Sequence, residues 1–154
     1  MQIRLAHLED VDNIVALLNE TTLDLHNKGI QQWTYPWNKD GIKQQVIDST
    51  VYVSLAEGHI IGTFRIENTN RPLFIDAEIY YLSQIAVSPA FQGGTIGSAI
   101  TAFACSFAKK MNKALYLDCW AGNEVLKAFY QRNGFEYIGD YPEENYFISV
   151  FRCM

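Results

Sequence analysis

The stretch from Ile85 to Ser98, Ile-Ala-Val-Ser-Pro-Ala-Phe-Gln-Gly-Gly-Thr-Ile-Gly-Ser, constrains the fold more than any other part of the chain. Its first three residues end an apolar run that begins at Ile79, and Ser88-Pro89 stops that run. The residues that follow place Ile96, Ala99, Ile100, Phe103 and Phe107 at helical spacing. A strand therefore feeds through a glycine-rich turn into a helix running from Thr95 to about Met111. The N–H groups of a helix's first turn lack intrahelical partners, and the helix dipole adds partial positive charge there. Together they suit an anion such as a phosphate or pyrophosphate. Glycines allow close backbone approach to a ligand, although the same glycines would serve a tight turn without one. The stretch contains neither the Gly-Lys-Ser/Thr of a Walker A loop nor the Gly-x-Gly-x-x-Gly of a dinucleotide fold.

The rest of the chain reads as strands and helices around this turn. Ile3–Ala6 is a short strand, and Asp10–Leu25 carries Val11, Ile14, Val15, Leu18 and Leu25 on one helical face, with Gly29 as its stop. An aromatic loop over Gln31–Asn38 leads to a second helix capped by Asp40 and reaching Asp48. Val51, Val53 and Leu55 alternate with Tyr52, Ser54 and Ala56, the period of a half-buried strand. Gly58-His59 turns that strand into its partner, Ile60–Glu67, and Asn68–Pro72 reads as a polar turn. After the long helix come a strand at Ala114–Asp118, a helix at Glu124–Arg132 stopped by Asn133-Gly134, and strands at Phe135–Tyr141 and Tyr146–Phe151. The order is β-α-α-β-β-β-α-β-α-β-β. It predicts an α/β (α+β) architecture in which a central, mixed, twisted sheet of about seven strands is flanked by helices. Nothing in the chain resembles a linker or an internal repeat, so residues 1–154 are expected to form a single domain.

Composition narrows the function by exclusion. The net charge is −5, and the only clustered cations, Lys109, Lys110 and Lys113, sit where a helix C-terminus favours them. The basic stripe of a nucleic-acid binder is absent. No apolar run approaches the roughly 20 residues that span a bilayer, and the N-terminus has no signal-peptide layout. These features predict a cytoplasmic protein without membrane or nucleic-acid partners. The three cysteines, Cys105, Cys119 and Cys153, lack metal-type spacing, so no metal is expected. Cys105 and Cys119 read as buried, reduced thiols.

The Ile85–Ser98 stretch resembles the GNAT superfamily of N-acetyltransferases. The strand end Ile85-Ala86-Val87-Ser88-Pro89 precedes a loop like the family's [Gln/Arg]-x-x-Gly-x-[Gly/Ala], here carried by Gln92, Gly93, Gly94, Thr95, Ile96 and Gly97. A second match, Leu117-Asp118-Cys119-Trp120-Ala121-Gly122-Asn123 through Phe129-Tyr130 to Gly134-Phe135, looks like the family's later strand, Asn and short helix. The resemblance covers nearly the whole chain in element order. It implies acetyl-CoA as cofactor, with the backbone of Ile85, Ala86 and Val87 along the pantetheine arm and the amides of Gln92–Ser98 around the pyrophosphate. Thr95 departs from the pattern, standing where the family has its first glycine; its Cβ restricts φ and ψ. Gly94 is expected to absorb any unusual dihedral.

The resemblance implies transfer of an acetyl group to a primary amine of a small molecule or peptide, in a ternary complex. That chemistry needs a neutral amine, a stabilised oxyanion and a proton for the departing thiolate. Tyr130 is implied as the acid and Asn123 as a cofactor-positioning residue. A base belongs beside the central strand, where Glu78 and Gln84 lie and only Glu78 can take a proton. Trp33, Tyr35 and Trp37 form either a wall for the acceptor, since aromatic faces suit cations, or a hydrophobic plug. The alternative to an enzyme is an acyl-CoA-binding module that has lost turnover, for which Thr95 and the missing obvious base speak. The C-terminal strand is apolar enough to pair across a homodimer or to lie inside a monomer.

Overall fold

The computed structural model describes residues 1–30, 32–69 and 77–153. The observed order is β1 (Gln2–Leu5), α1 (Val11–Asn27), α2 (Lys39–Ile47), β2 (Val51–Ala56), β3 (His59–Thr69), β4 (Ile79–Val87), α3 (Ile96–Lys110), β5 (Leu115–Trp120), α4 (Glu124–Arg132), β6 (Glu136–Pro142) and β7 (Phe147–Cys153). Every expected element is present in the expected order. The strands form one mixed seven-stranded sheet in the order β1-β2-β3-β4-β5-β7-β6. β7 lies inside that order, so it offers no sheet edge to a second chain.

The residues cluster into two compact units, Met1–Ile66 with Gln84–Ile100 and Glu67–Ser83 with Thr101–Met154. In the first unit, α1 buries Val11, Ile14, Leu17 and Leu18 at helical spacing, together with Ile42 and Val46 of α2 and Val53 and Leu55 of β2. Lys28 follows α1, and Gly29 then takes φ 81, the left-handed residue that commonly ends a helix. Asn38, not Asp40, caps α2, because its side chain accepts from the Gly41 N–H at 2.8 Å. The hairpin between β2 and β3 turns at Glu57 and Gly58, with φ 50 and 80, so His59 already belongs to β3. Two consecutive positive-φ residues match the twist of the flanking strands. Asn68 and Thr69, expected in a turn, also lie in β3; residues 70–72 of that expected turn, and Gln31, fall outside the described residues.

In the second unit β4 and β5 run parallel, pairing Tyr80 with Leu115 and Tyr81 with Tyr116. β5 pairs antiparallel with β7, and β7 with β6. One sheet face receives helices: the Tyr80 ring meets Phe107 of α3 at 5.1 Å, and Phe151 meets Tyr130 of α4 at 5.6 Å. Cys105 of α3 is joined to Cys153 of β7, so the expected reduced thiol at Cys105 is a disulfide, whereas Cys119 is free and buried. The opposite face carries Ile79, Tyr116, Ile148 and Val150, with Tyr81 and Tyr141 packed beside them. No helix among the described residues is long and apolar enough to cross a membrane.

Candidate active site

The first unit holds the glycine-rich turn. β4 carries an irregularity at Gln84, whose φ of 52 lies in the left-handed region. For a residue with a Cβ this costs about 1–2 kcal/mol. Its side chain is held by a reciprocal amide pair with Gln45 of α2, Gln45 donating at 3.1 Å and Gln84 donating back at 2.9 Å. Beyond it, Ile85 and Val87 are half-buried and Ala86 is buried. A single 3-10 turn, Pro89–Phe91, leads into the loop. Gln92 folds back so that its side-chain amide donates to the Val87 carbonyl at 2.9 Å, closing the turn on the strand it leaves.

Gly93, not Gly94, takes the left-handed conformation, with φ 83. Thr95 is not among the positive-φ residues, so the threonine at the family's glycine position carries no backbone strain. Its carbonyl accepts the Ala99 N–H at 2.9 Å, which makes Thr95 the residue before the first helical turn. Ile96, Gly97 and Ser98 open that turn, and Gln92 through Thr95 are exposed. The backbone just ahead of α3 is therefore exposed over Gln92–Thr95.

The second unit gathers side chains. Tyr130 is buried among Phe129, Phe135 and Phe151. Burial pushes its hydroxyl pKa up, and the nearby Cys119 and Asp118 push it the same way, so it stays protonated. Asn123 is buried and caps α4, accepting from the Leu126 N–H at 3.1 Å. Burial also raises the Cys119 thiol to about 12, which leaves it a poor nucleophile. Glu78 is exposed and paired with Lys113 at 3.0 Å.

With the fold and loop in place, likeness to known proteins carries weight. The sequence matches the acetyltransferase (GNAT) family over residues 16–135. This chain belongs to the GNAT acetyltransferase family. It is 27% identical over 150 residues to the N-acetyltransferase YesJ of Bacillus subtilis strain 168, itself uncharacterized, covering 85% of this chain and 79% of YesJ. A GNAT acetyltransferase structure from Listeria monocytogenes superposes with a TM-score of 0.80 at 27% identity, over 98% of this chain and 92% of that one. The fold is also shared with the structure of yncA from Salmonella typhimurium with its cofactor acetyl-CoA, with a TM-score of 0.72, 16% identity, and coverage of 98% and 91%.

Within this GNAT chain the aromatic segment is tied to α1. The Trp37 indole donates to the Thr22 hydroxyl at 2.8 Å, and its backbone N–H donates to Asn19 at 2.8 Å. Trp33 and Trp37 meet edge to face at 5.4 Å and pack on the first unit's core, while Tyr35 is exposed. Of these three aromatic residues only Tyr35 is exposed, while Trp33 and Trp37 are half-buried. The structure also singles out two residues that sequence reasoning passed over. The Tyr81 hydroxyl of β4 donates to the Asp118 carboxylate of β5. A carboxylate inside the apolar run Leu115-Tyr-Leu-Asp-Cys-Trp was the available signal, but its partner lies 37 residues earlier and only strand pairing brings them together.

Proposed function

We propose that this GNAT acetyltransferase uses acetyl-CoA and transfers the acetyl group to a primary amine of a small molecule or peptide by direct attack in a ternary complex. Residues 1–154 act as one catalytic domain in the cytoplasm, without nucleic-acid or membrane partners. The observation that carries the reading is the unstrained loop Gln92–Ser98 at the start of α3, exposed over Gln92–Thr95, whose shape is set by Gly93 and the Gln92–Val87 bond. Its backbone N–H groups suit a pyrophosphate, and Ile85, Ala86 and Val87 offer strand backbone to an extended arm. Bound acetyl-CoA supplies an acetyl group activated as a thioester.

The chain's own residues do the rest. Tyr130 keeps its proton across the physiological range and offers it to the departing sulfur. Because its pKa is raised, it holds the thiolate chiefly by hydrogen bonding and leaves full proton transfer to follow. Asn123 fixes the start of α4 and so the height of Tyr130, two turns further along. Trp33, Tyr35, Trp37 and Gln84 are proposed to face the acceptor, with Tyr35 the most open of them. Glu78 is the strand-start candidate for base, although its pairing with Lys113 occupies it. Calorimetry with acetyl-CoA, followed by thiol release on a panel of amines, tests the reading. Micromolar binding with amine-dependent thiol release is expected, and absence of binding would overturn it.

A further inference from the structure

Among the described residues other than glycine, Ser49, Glu57, Gln84 and Asn112 take a positive φ. Ser49, Glu57 and Asn112 lie between elements, where turns need such residues, but Gln84 lies inside β4. A left-handed residue within a strand re-aims the residues that follow, and glycine is the usual choice for it. A side chain held in that conformation persists only where its surroundings fix it, and such strain gathers at functional sites.

Gln45 supplies the hold. Its amide donates to the Gln84 carbonyl oxygen at 3.1 Å and accepts from the Gln84 amide at 2.9 Å, so two hydrogen bonds close a ring. Two neutral hydrogen bonds contribute about as much as a left-handed backbone costs. Gln45 is itself well anchored in the first unit. Its neighbours Ile42 and Val46 on α2 are buried in the core, and its carbonyl accepts the Thr50 N–H at 3.2 Å and the Thr50 hydroxyl at 3.1 Å. Neither amide titrates, so the hold does not vary with pH.

The corner at Gln84 governs the three residues after it. At the far end of Ile85–Val87, the Ser88 N–H donates to the Ile61 carbonyl at 2.8 Å, and the Val87 carbonyl accepts from the Gln92 side chain at 2.9 Å. The near end leaves from Gln84. A corner relaxed to the extended region would turn Ile85–Val87 out of its present path.

We propose that Gln45 is a positioning residue for the cofactor: through the amide ring it holds Gln84 left-handed and so keeps the backbone of Ile85–Val87 in the form that takes the extended arm of acetyl-CoA. This rests on the acetyltransferase reading above. Gln45 touches neither cofactor nor substrate in this role and acts through the φ of Gln84.

The test compares the native protein with Gln45→Leu, Gln84→Ala and Gln84→Gly. Acetyl-CoA affinity is measured by calorimetry, and the α-carbon NMR shift of residue 84, which distinguishes left-handed from extended backbone, is read without ligand. Gln45→Leu and Gln84→Ala each lose the ring and keep a Cβ, so each should bind acetyl-CoA about tenfold more weakly. Gln45→Leu should also move the residue 84 shift toward the extended value. Gln84→Gly loses the ring but also the steric penalty, so it should bind about fivefold or more tighter than Gln84→Ala. That order reverses the usual advantage of alanine over glycine within a strand. Gln45→Asn, one methylene short of closing the ring, should behave like Gln45→Leu and replaces it if the leucine variant does not fold. Equal losses in Gln84→Ala and Gln84→Gly, or an unmoved shift in Gln45→Leu, overturn the assignment. A native protein that binds acetyl-CoA while Gln45→Leu binds it equally well overturns this assignment and leaves the acetyltransferase reading intact. A native protein that binds no acetyl-CoA overturns both together.

Discussion

The loop Gln92–Ser98 presents uncharged backbone, exposed over Gln92–Thr95 and shaped by one left-handed glycine, whereas Tyr81, Asp118 and Tyr130 present side chains whose ionisation burial has moved. A site made of N–H groups tolerates most side chains provided the dihedrals hold. A site made of hydroxyl and carboxylate groups depends on each atom and on how dry it is. The two should therefore answer differently to substitution: the loop through cofactor affinity, those side chains through rate and pH.

Tyr130→Phe offers the largest contrast. It should lower kcat by about 100-fold, the usual scale for losing an acid group, while calorimetry returns an acetyl-CoA affinity within about twofold of native. An equal loss in affinity would mean that Tyr130 serves binding and that the division between the regions is wrong. Gly93→Val is the reverse experiment. A β-branched residue at φ 83 faces a penalty of about 1–2 kcal/mol, so acetyl-CoA should bind about tenfold more weakly, with kcat at saturation little changed.

A third prediction concerns stability. Burial raises the Asp118 pKa above its unfolded value, so the folded state holds that proton more tightly. The corresponding stability is complete below the ordinary carboxylate range and is lost as pH rises through the folded pKa. Asn never bears the charge. The melting temperature of Asp118→Asn should therefore gain on the native protein as pH climbs through that window, then level off. A steady deficit at every pH would mark Asp118 as a structural residue. The smallest effect belongs to Thr95→Gly, which should leave acetyl-CoA affinity within about twofold, because Thr95 needs no conformation that glycine alone provides. A markedly tighter variant would instead show the Thr95 side chain crowding the phosphates.

The same contrast explains what the sequence discloses. The loop is contiguous, and its chemistry is a pattern of glycines, a capped helix and an apolar run, so Ile85–Ser98 could be read in order. Helix α4 is legible at both ends because Asn123 and Gly134 mark it locally. The Tyr81–Asp118 bond depends on β5 pairing parallel to β4, and no local residue records that register. The Cys105–Cys153 link and the Gln45–Gln84 amide pair escaped for the same reason, each joining elements distant in sequence. Asn38 rather than the expected Asp40 caps α2, since both residue types cap well and only the backbone path selects between them.

The disulfide also bears on the unfolded chain. Cys105 and Cys153 lie 48 positions apart, and the loop they close contains Asp118, Asn123 and Tyr130. In the chain-entropy view a cross-link of this span removes about 4 kcal/mol of freedom from the denatured ensemble. All of that restraint falls within the second unit, and the glycine-rich loop of the first lies outside the covalent ring. Under reducing conditions, which keep such pairs open, Asp118, Asn123 and Tyr130 would sit on a longer free tether than in the oxidised protein, while the glycine-rich loop would keep the same one.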